Sequence, residues 1–128
     1  MKAYLRARAL AALVLSIAGT PSCTDDASAR AAMMTHGDPA RGKEELRRYG
    51  CGSCHTIPGV PGANALVGPE LSHVAKRSYL AGTLPNNPAN MREWIMHPQH
   101  IKPHNAMPDE GVSESSARDM TVHLYTLE

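Results

Sequence analysis

Apolar positions along the chain change spacing at several places. Ala9 to Ala18 is an almost unbroken apolar run behind the basic residues Lys2, Arg6 and Arg8. It is too short to span a bilayer as a mature helix, and residues 1–22 read as an export signal, with an uncleaved anchor as the alternative. Residues 24–36 are rich in Ala, Ser and Asp without apolar periodicity, so residues 23–36 are expected to be a flexible, disordered tether. Periodicity returns after Gly37. Gly42, Leu46 and Tyr49 share one helical face. Asp38 and Pro39 supply an N-cap and a first-turn proline, and Gly50 ends the helix near Tyr49. Gly42 on that face lets another helix approach closely. The Pro- and Gly-rich stretch Thr56 to Ala63 excludes regular structure, and a short helix follows over Glu70 to Lys76. Asn87-Pro88 opens a further helix that runs to His97, before Pro98, with Met91, Trp94 and Ile95 on its apolar face. Residues 98–111 form a polar loop. The last helix starts from Ser113 as cap and runs from Glu114 to about Leu127. Its Ala117, Met120, Thr121 and Leu124 fall at helical spacing, bordered by Tyr125, and should pack on Gly42 and Leu46. The pattern predicts one all-α domain over residues 37–128.

Between the first helix and the Pro-rich loop lies Cys51-Gly52-Ser53-Cys54-His55. Cys-x-x-Cys-His is the attachment signature of a c-type haem. Two thiols at this spacing can each add across one haem vinyl group and form a thioether. The next residue, His55, then lies under the iron as proximal ligand. A redox disulfide would need a βαβ pattern that the chain does not show. A structural zinc site would need a second cysteine pair. With haem c at this motif, residues 56–63 should loop over one haem edge. Pro69 has no N–H, but its carbonyl can hold the other ring nitrogen of His55; a plain turn is the competing reading. Trp94 either donates its indole N–H to a haem propionate or fills the core. Met107, before Pro108 and 52 residues after His55, is far enough along to reach the opposite haem face as a thioether ligand. Met91, Met96 and Met120 sit on helices, and among the remaining histidines His104 is the one placed to compete.

Composition agrees with a bound group. The chain has no Phe, one Trp and four Tyr, so it lacks large core side chains, which a haem would replace. The formal charge of +1 includes Lys2, Arg6 and Arg8; without them ten basic residues face twelve acidic ones, near −2. That balance argues against nucleic-acid binding. Cys23 is left over once haem has used two of the three cysteines. It follows the apolar run where a lipoprotein cysteine stands, although Thr20-Pro21-Ser22 lacks the usual Leu three before it. Cleavage after Ala27-Ser28-Ala29 is the alternative. Lipid on Cys23 would anchor the protein to a membrane, facing the periplasm.

Over residues 40–128 the chain resembles a class I cytochrome c, and more closely the cytochrome c domain of subunit II of caa-type haem-copper oxidases. The resemblance is carried by Cys51 to Gly59, Val67 to Val74, Ala81 to Asn86, and Pro98 to Pro103 with Met107-Pro108. It implies an all-α fold, one covalent haem c, His55 and Met107 as iron ligands, and first-on-last helix packing. Glu70 stands where Asp is common, and His104 where Gly is common. The copper-binding domain that precedes this module in subunit II has no counterpart here, so a chain other than a complete oxidase subunit is expected. The expected function is one-electron transfer, not enzymatic turnover, with a terminal oxidase or cytochrome bc complex as partner. The alternative is a gas- or peroxide-binding haem module with an exchangeable sixth ligand.

Overall fold

The computed structural model describes Ala29, Ala32, Met33 and residues 35–128. The expected export signal and Cys23 lie outside the described residues. Among residues 36–128 four α-helices and one short hairpin occur: α1 (Pro39–Arg48), β1 (Tyr79–Leu80), β2 (Leu84–Pro85), α2 (Pro88–Met96), α3 (Pro98–Ile101) and α4 (Glu114–Leu124). Turns of 3₁₀ type cover Cys51–Ser53 and Val74–Lys76.

The helix starts follow from their caps. Asp38 accepts from the N–H groups of Ala40 and Arg41 at 2.8 and 3.1 Å. Asn87 accepts from Asn90 at 2.9 Å, and Ser113 from Ser116 at 3.2 Å. Each side-chain oxygen satisfies donors that the first turn leaves unpaired. No described helix is long and apolar enough to cross a membrane.

α1 packs on α4, and α2 packs on α4 as well. The α1–α4 crossing is a backbone contact: a Cβ on Gly42 would lie 2.0 Å from the Asp119 carbonyl oxygen. Asp119 strengthens the crossing. Its buried carboxylate accepts from the Asp38 N–H at 2.8 Å and from Arg41 Nε at 2.9 Å. Ala117, Met120, Thr121 and Leu124 are buried as expected, but so are Ser116, Asp119, Val122 and His123. α4 is therefore the central helix of the domain and not a one-faced surface helix. The buried Thr121 hydroxyl donates to the Ala117 carbonyl at 2.7 Å, which makes its burial affordable.

Several local expectations need correction. α4 ends at Leu124, not Leu127. Thr126 Oγ1 and Thr126 N both donate to the His123 carbonyl, and Leu127 turns to accept from Ala75 N at 3.2 Å. The stretch Glu70–Lys76 holds a single 3₁₀ turn in place of a helix, because His73 takes a left-handed φ of 56° immediately before it. The loop 98–111 begins with the helical turn α3. The hairpin β1–β2 is an addition to the all-helical reading; it pairs Leu80 with Leu84 and is closed by Ala81 and Gly82, both left-handed. Finally, Ala29, Ala32, Met33 and Thr35 are helical, and Thr35 is buried. The disordered tether does not extend through these positions. Gly37 lies against α4, where an added Cβ would meet Val122 at 2.7 Å, and the chain enters the domain along that helix.

Candidate functional site

A cavity of about 310 Å³ lies between α1, α2, α4, the hairpin and the segment 102–112. Its walls are mostly aliphatic, with Leu46, Val74, Leu80, Met91, Ile95 and Leu124 among them. Every sequence-predicted site residue, Cys51, Cys54, His55, Pro69, Trp94 and Met107, lines this one cavity.

The cysteines follow α1 directly. Gly50, at φ 71°, reverses the chain, and Cys51–Ser53 form a 3₁₀ turn whose Cys51 carbonyl accepts from both Cys54 and His55 N–H. Both thiols are free. Burial pushes the Cys51 thiol up to about 11, so it is a neutral thiol at pH 7. A redox disulfide cysteine needs the opposite shift, toward thiolate. Gly52 backs onto the loop 56–63, where a Cβ would meet Ala63 Cα at 2.7 Å. That loop buries Ile57, Val60 and Ala63 behind the cysteine turn and does not line the cavity. The cavity edge expected from it is formed by Val67, Gly68 and Pro69 instead.

His55 is held from two sides. Its Nδ1 lies 2.7 Å from the Pro69 carbonyl oxygen. A carbonyl only accepts, so Nδ1 carries the proton and Nε2 the lone pair. The ring lies on Gly68, where an added Cβ would fall 2.4 Å from its Cε1. Gly68 in turn donates its N–H to the Cys54 carbonyl at 2.7 Å.

Met107 sits in a segment clamped by amide side chains. Its N–H donates to Asn105 Oδ1 at 2.7 Å, and its carbonyl accepts from Gln99 Nε2 at 2.6 Å. Asn105 Nδ2 also donates to the carbonyls of Pro98 and Lys102. His104 is exposed and does not line the cavity. It takes a left-handed φ of 65°, the conformation that makes Gly the easier residue there. Gly68, Gln99 and Asn105 were not singled out from sequence. Their roles depend on which distant group each touches, although Gly68 and Gln99 lie within stretches that carry the resemblance. Among the described residues no cluster of three or more His, Cys, Asp or Glu could hold a bare metal ion.

Comparison with known proteins gives one informative relation. The chain is 31% identical over 88 residues to cytochrome c oxidase subunit 2 of Alkalihalophilus pseudofirmus. The match covers 68% of this chain and 25% of that protein, so the chain spans about a quarter of its relative's length. This supports a relation to that subunit over part of the chain. No family model matches the chain, and no solved structure matches it.

Proposed function

We propose that this chain is a monohaem c-type cytochrome of class I that carries single electrons on the periplasmic side of a membrane. The observation behind the proposal is the convergence of Cys51, Cys54, His55 and Met107 on one apolar cavity. The residues fit the group. Two free thiols stand at the cavity wall, an imidazole presents an unprotonated Nε2, and a thioether lines the same space. A single imidazole and a single thioether suit a metal that brings its own equatorial ligands, as haem iron does. Cys51 and Cys54 would hold haem c covalently, and His55 and Met107 would be its axial ligands.

Bound there, haem supplies the one-electron iron couple. The chain does the rest. The Pro69 carbonyl fixes the tautomer of His55 and the orientation of its ring, leaving the Nε2 lone pair free. Gln99 and Asn105 hold the Met107 backbone at both its N–H and its carbonyl, which favours a fixed sixth ligand over an exchangeable one. The aliphatic walls keep water out, which favours the less charged form of a buried centre and so raises its potential.

The relation to an oxidase subunit supports a respiratory setting, with a terminal oxidase or a cytochrome bc complex as exchange partner. Lipid on Cys23 would keep the carrier at the membrane. Fractionation tests the anchor: native protein is expected with membranes, and Cys23→Ser in the soluble periplasm with an unchanged visible spectrum. Wholly soluble native protein beginning at Arg30 would contradict it. A low-spin visible spectrum with a Met–iron band, unchanged by added cyanide or carbon monoxide at short times, supports the carrier. A high-spin spectrum would favour the gas- or peroxide-binding module.

A further inference from the structure

The chain enters the domain through Thr35, His36 and Gly37, and these residues are fastened to α4. Thr35 is buried. Gly37 comes so close that an added Cβ would lie 2.9 Å from the Arg118 carbonyl oxygen. Two side chains of α4 grip the backbone that follows. Asp119 accepts from the Asp38 N–H, and the His123 ring donates from Nδ1 to the Pro39 carbonyl at 3.1 Å. Asp119 and His123 are four residues apart, so they stand on one face of α4. The two grips differ in chemistry. Asp119 is paired on both carboxylate oxygens. His123 is paired on one nitrogen only; with the proton on Nδ1, its Nε2 keeps a lone pair that is buried and without a partner. A second proton there meets no acceptor and sets a positive ring beside Lys43 of α1. Burial, and after it Lys43, hold the ring neutral against the Pro39 carbonyl, which favours the charged form. Of the other groups on the packed elements, Asp38 and Arg41 are bonded to Asp119 or to each other, His36 stands on the entering segment, and Arg92 and Glu93 stand on α2. Lys43 is the one of these charges that acts on the ring.

We propose that residues 35–39 and α4 form a latch that acid opens: with His123 neutral the entering segment is held along α4, and protonation of His123 frees it while the domain stays folded. The latch goes beyond the carrier reading and does not depend on haem. The domain survives the opening because α1 and α4 stay joined by the close approach at Gly42 and by the buried Leu46, Ala117 and Met120. The segment has no such core of its own. A short stretch held by a few polar bonds at the edge of a domain opens at lower cost than the helices beneath it. Closed, the latch makes the segment part of the domain. Open, it adds the segment to the chain that precedes it, and so lengthens the reach of the domain from any point that holds its N-terminal side.

The test is residue-resolved amide hydrogen exchange on the purified native protein at pH 7.5 and 5.5, with each rate divided by its intrinsic rate. The Asp38 amide is expected to be at least roughly tenfold less protected than that of Met120 in the middle of α4, which marks the segment as opening on its own. Its protection should fall severalfold from pH 7.5 to 5.5, with a ceiling of about tenfold set by a free imidazole titrating near 6.5. His123→Gln keeps a donor for the Pro39 carbonyl without the titration and should remove that fall, whereas His36→Gln should leave it intact. Gly37→Ala forces the segment off α4 and should lower Asp38 protection already at pH 7.5. Equal protection of Asp38 and Met120 would mean that the segment opens only with the whole domain, and would overturn the latch. So would a wild type without the fall, a fall that persists in His123→Gln or vanishes in His36→Gln, or an unchanged Asp38 amide in Gly37→Ala. Should His123→Gln not fold, the ring resonances of His123 in the wild type decide: a titration midpoint below about 6.5 supports the latch, and one at or above it overturns it.

Discussion

The His55 imidazole depends on a side chain that is missing. An added Cβ at Gly68 would lie 2.4 Å from Cε1 and 2.7 Å from Nδ1, the atom that donates to Pro69. Gly68→Ala should therefore push the ring off the Pro69 carbonyl. The expected outcome is a protein that still carries haem but has a mixed-spin spectrum and a lowered potential. A wild-type spectrum would show that the ring is placed by something else. On the other side, Met107→Ala should lower the potential by a sizeable part of the ~0.8 V range that axial ligands set. His104→Ala should leave the spectrum unchanged, because His104 is exposed and does not line the cavity. The reverse pattern in these two variants would assign the sixth ligand to His104. The cysteine turn and His55 were legible in the sequence because the Cys-x-x-Cys-His signature lies within five consecutive residues. The supporting groups were not, because a glycine under a ring and two amides around a methionine are specified only by tertiary approach.

Among the elements, the α1–α4 crossing holds the fold around the cavity. Gly42→Ala would place a methyl group 2.0 Å from a backbone oxygen that has no free end to swing away. Destabilisation of about 3 kcal/mol is expected from such overpacking, read as a fall in the urea midpoint. The same crossing carries two groups that weaken it in acid. Burial raises the Asp119 pKa, but the hydrogen bonds from Arg41 and from the Asp38 N–H outweigh it, and the carboxyl is held below its ordinary value. Its contribution is complete above the unfolded value near 3.9 and is lost as pH falls through the lower folded value. His123 is 9% exposed, and burial holds its pKa below the ordinary value. Its Nδ1 lies 3.1 Å from the Pro39 carbonyl, its Nε2 has no hydrogen-bond partner, and Lys43 of α1 adds a like charge once the ring protonates. The unfolded ring takes a proton first, so this stability is lost as pH falls below about 6.5. Thermal unfolding should thus shift to lower temperature between pH 7.5 and 5.5, and His123→Gln should flatten that interval. An equally steep fall in His123→Gln would locate the acid sensitivity elsewhere. The helix starts were readable from Asp38-Pro39, Asn87-Pro88 and Ser113, since capping is local chemistry. The two-residue strands were not, because so short a stretch offers no alternation to read, and the burial of Asp119 and His123 on α4 follows from the presence of two neighbouring helices.

For the whole molecule, the cavity is where a core would otherwise be. The chain has no Phe, and its fully buried side chains are of the size of Ile57, Met120 and Val122. A domain of this size without a large apolar centre buries little surface, so on the proposed reading a haem held in the cavity would contribute a substantial share of its stability. Cys51→Ala combined with Cys54→Ala is expected to leave little folded protein, measured by circular dichroism and soluble yield. The most direct measurement is intact mass and absorbance of the purified protein after denaturation and acid-acetone extraction. Retention of one haem mass on the polypeptide, with the colour staying in the protein fraction, is the predicted result. Haem colour in the organic phase, or a mass equal to the polypeptide alone, would contradict a cytochrome held through Cys51 and Cys54.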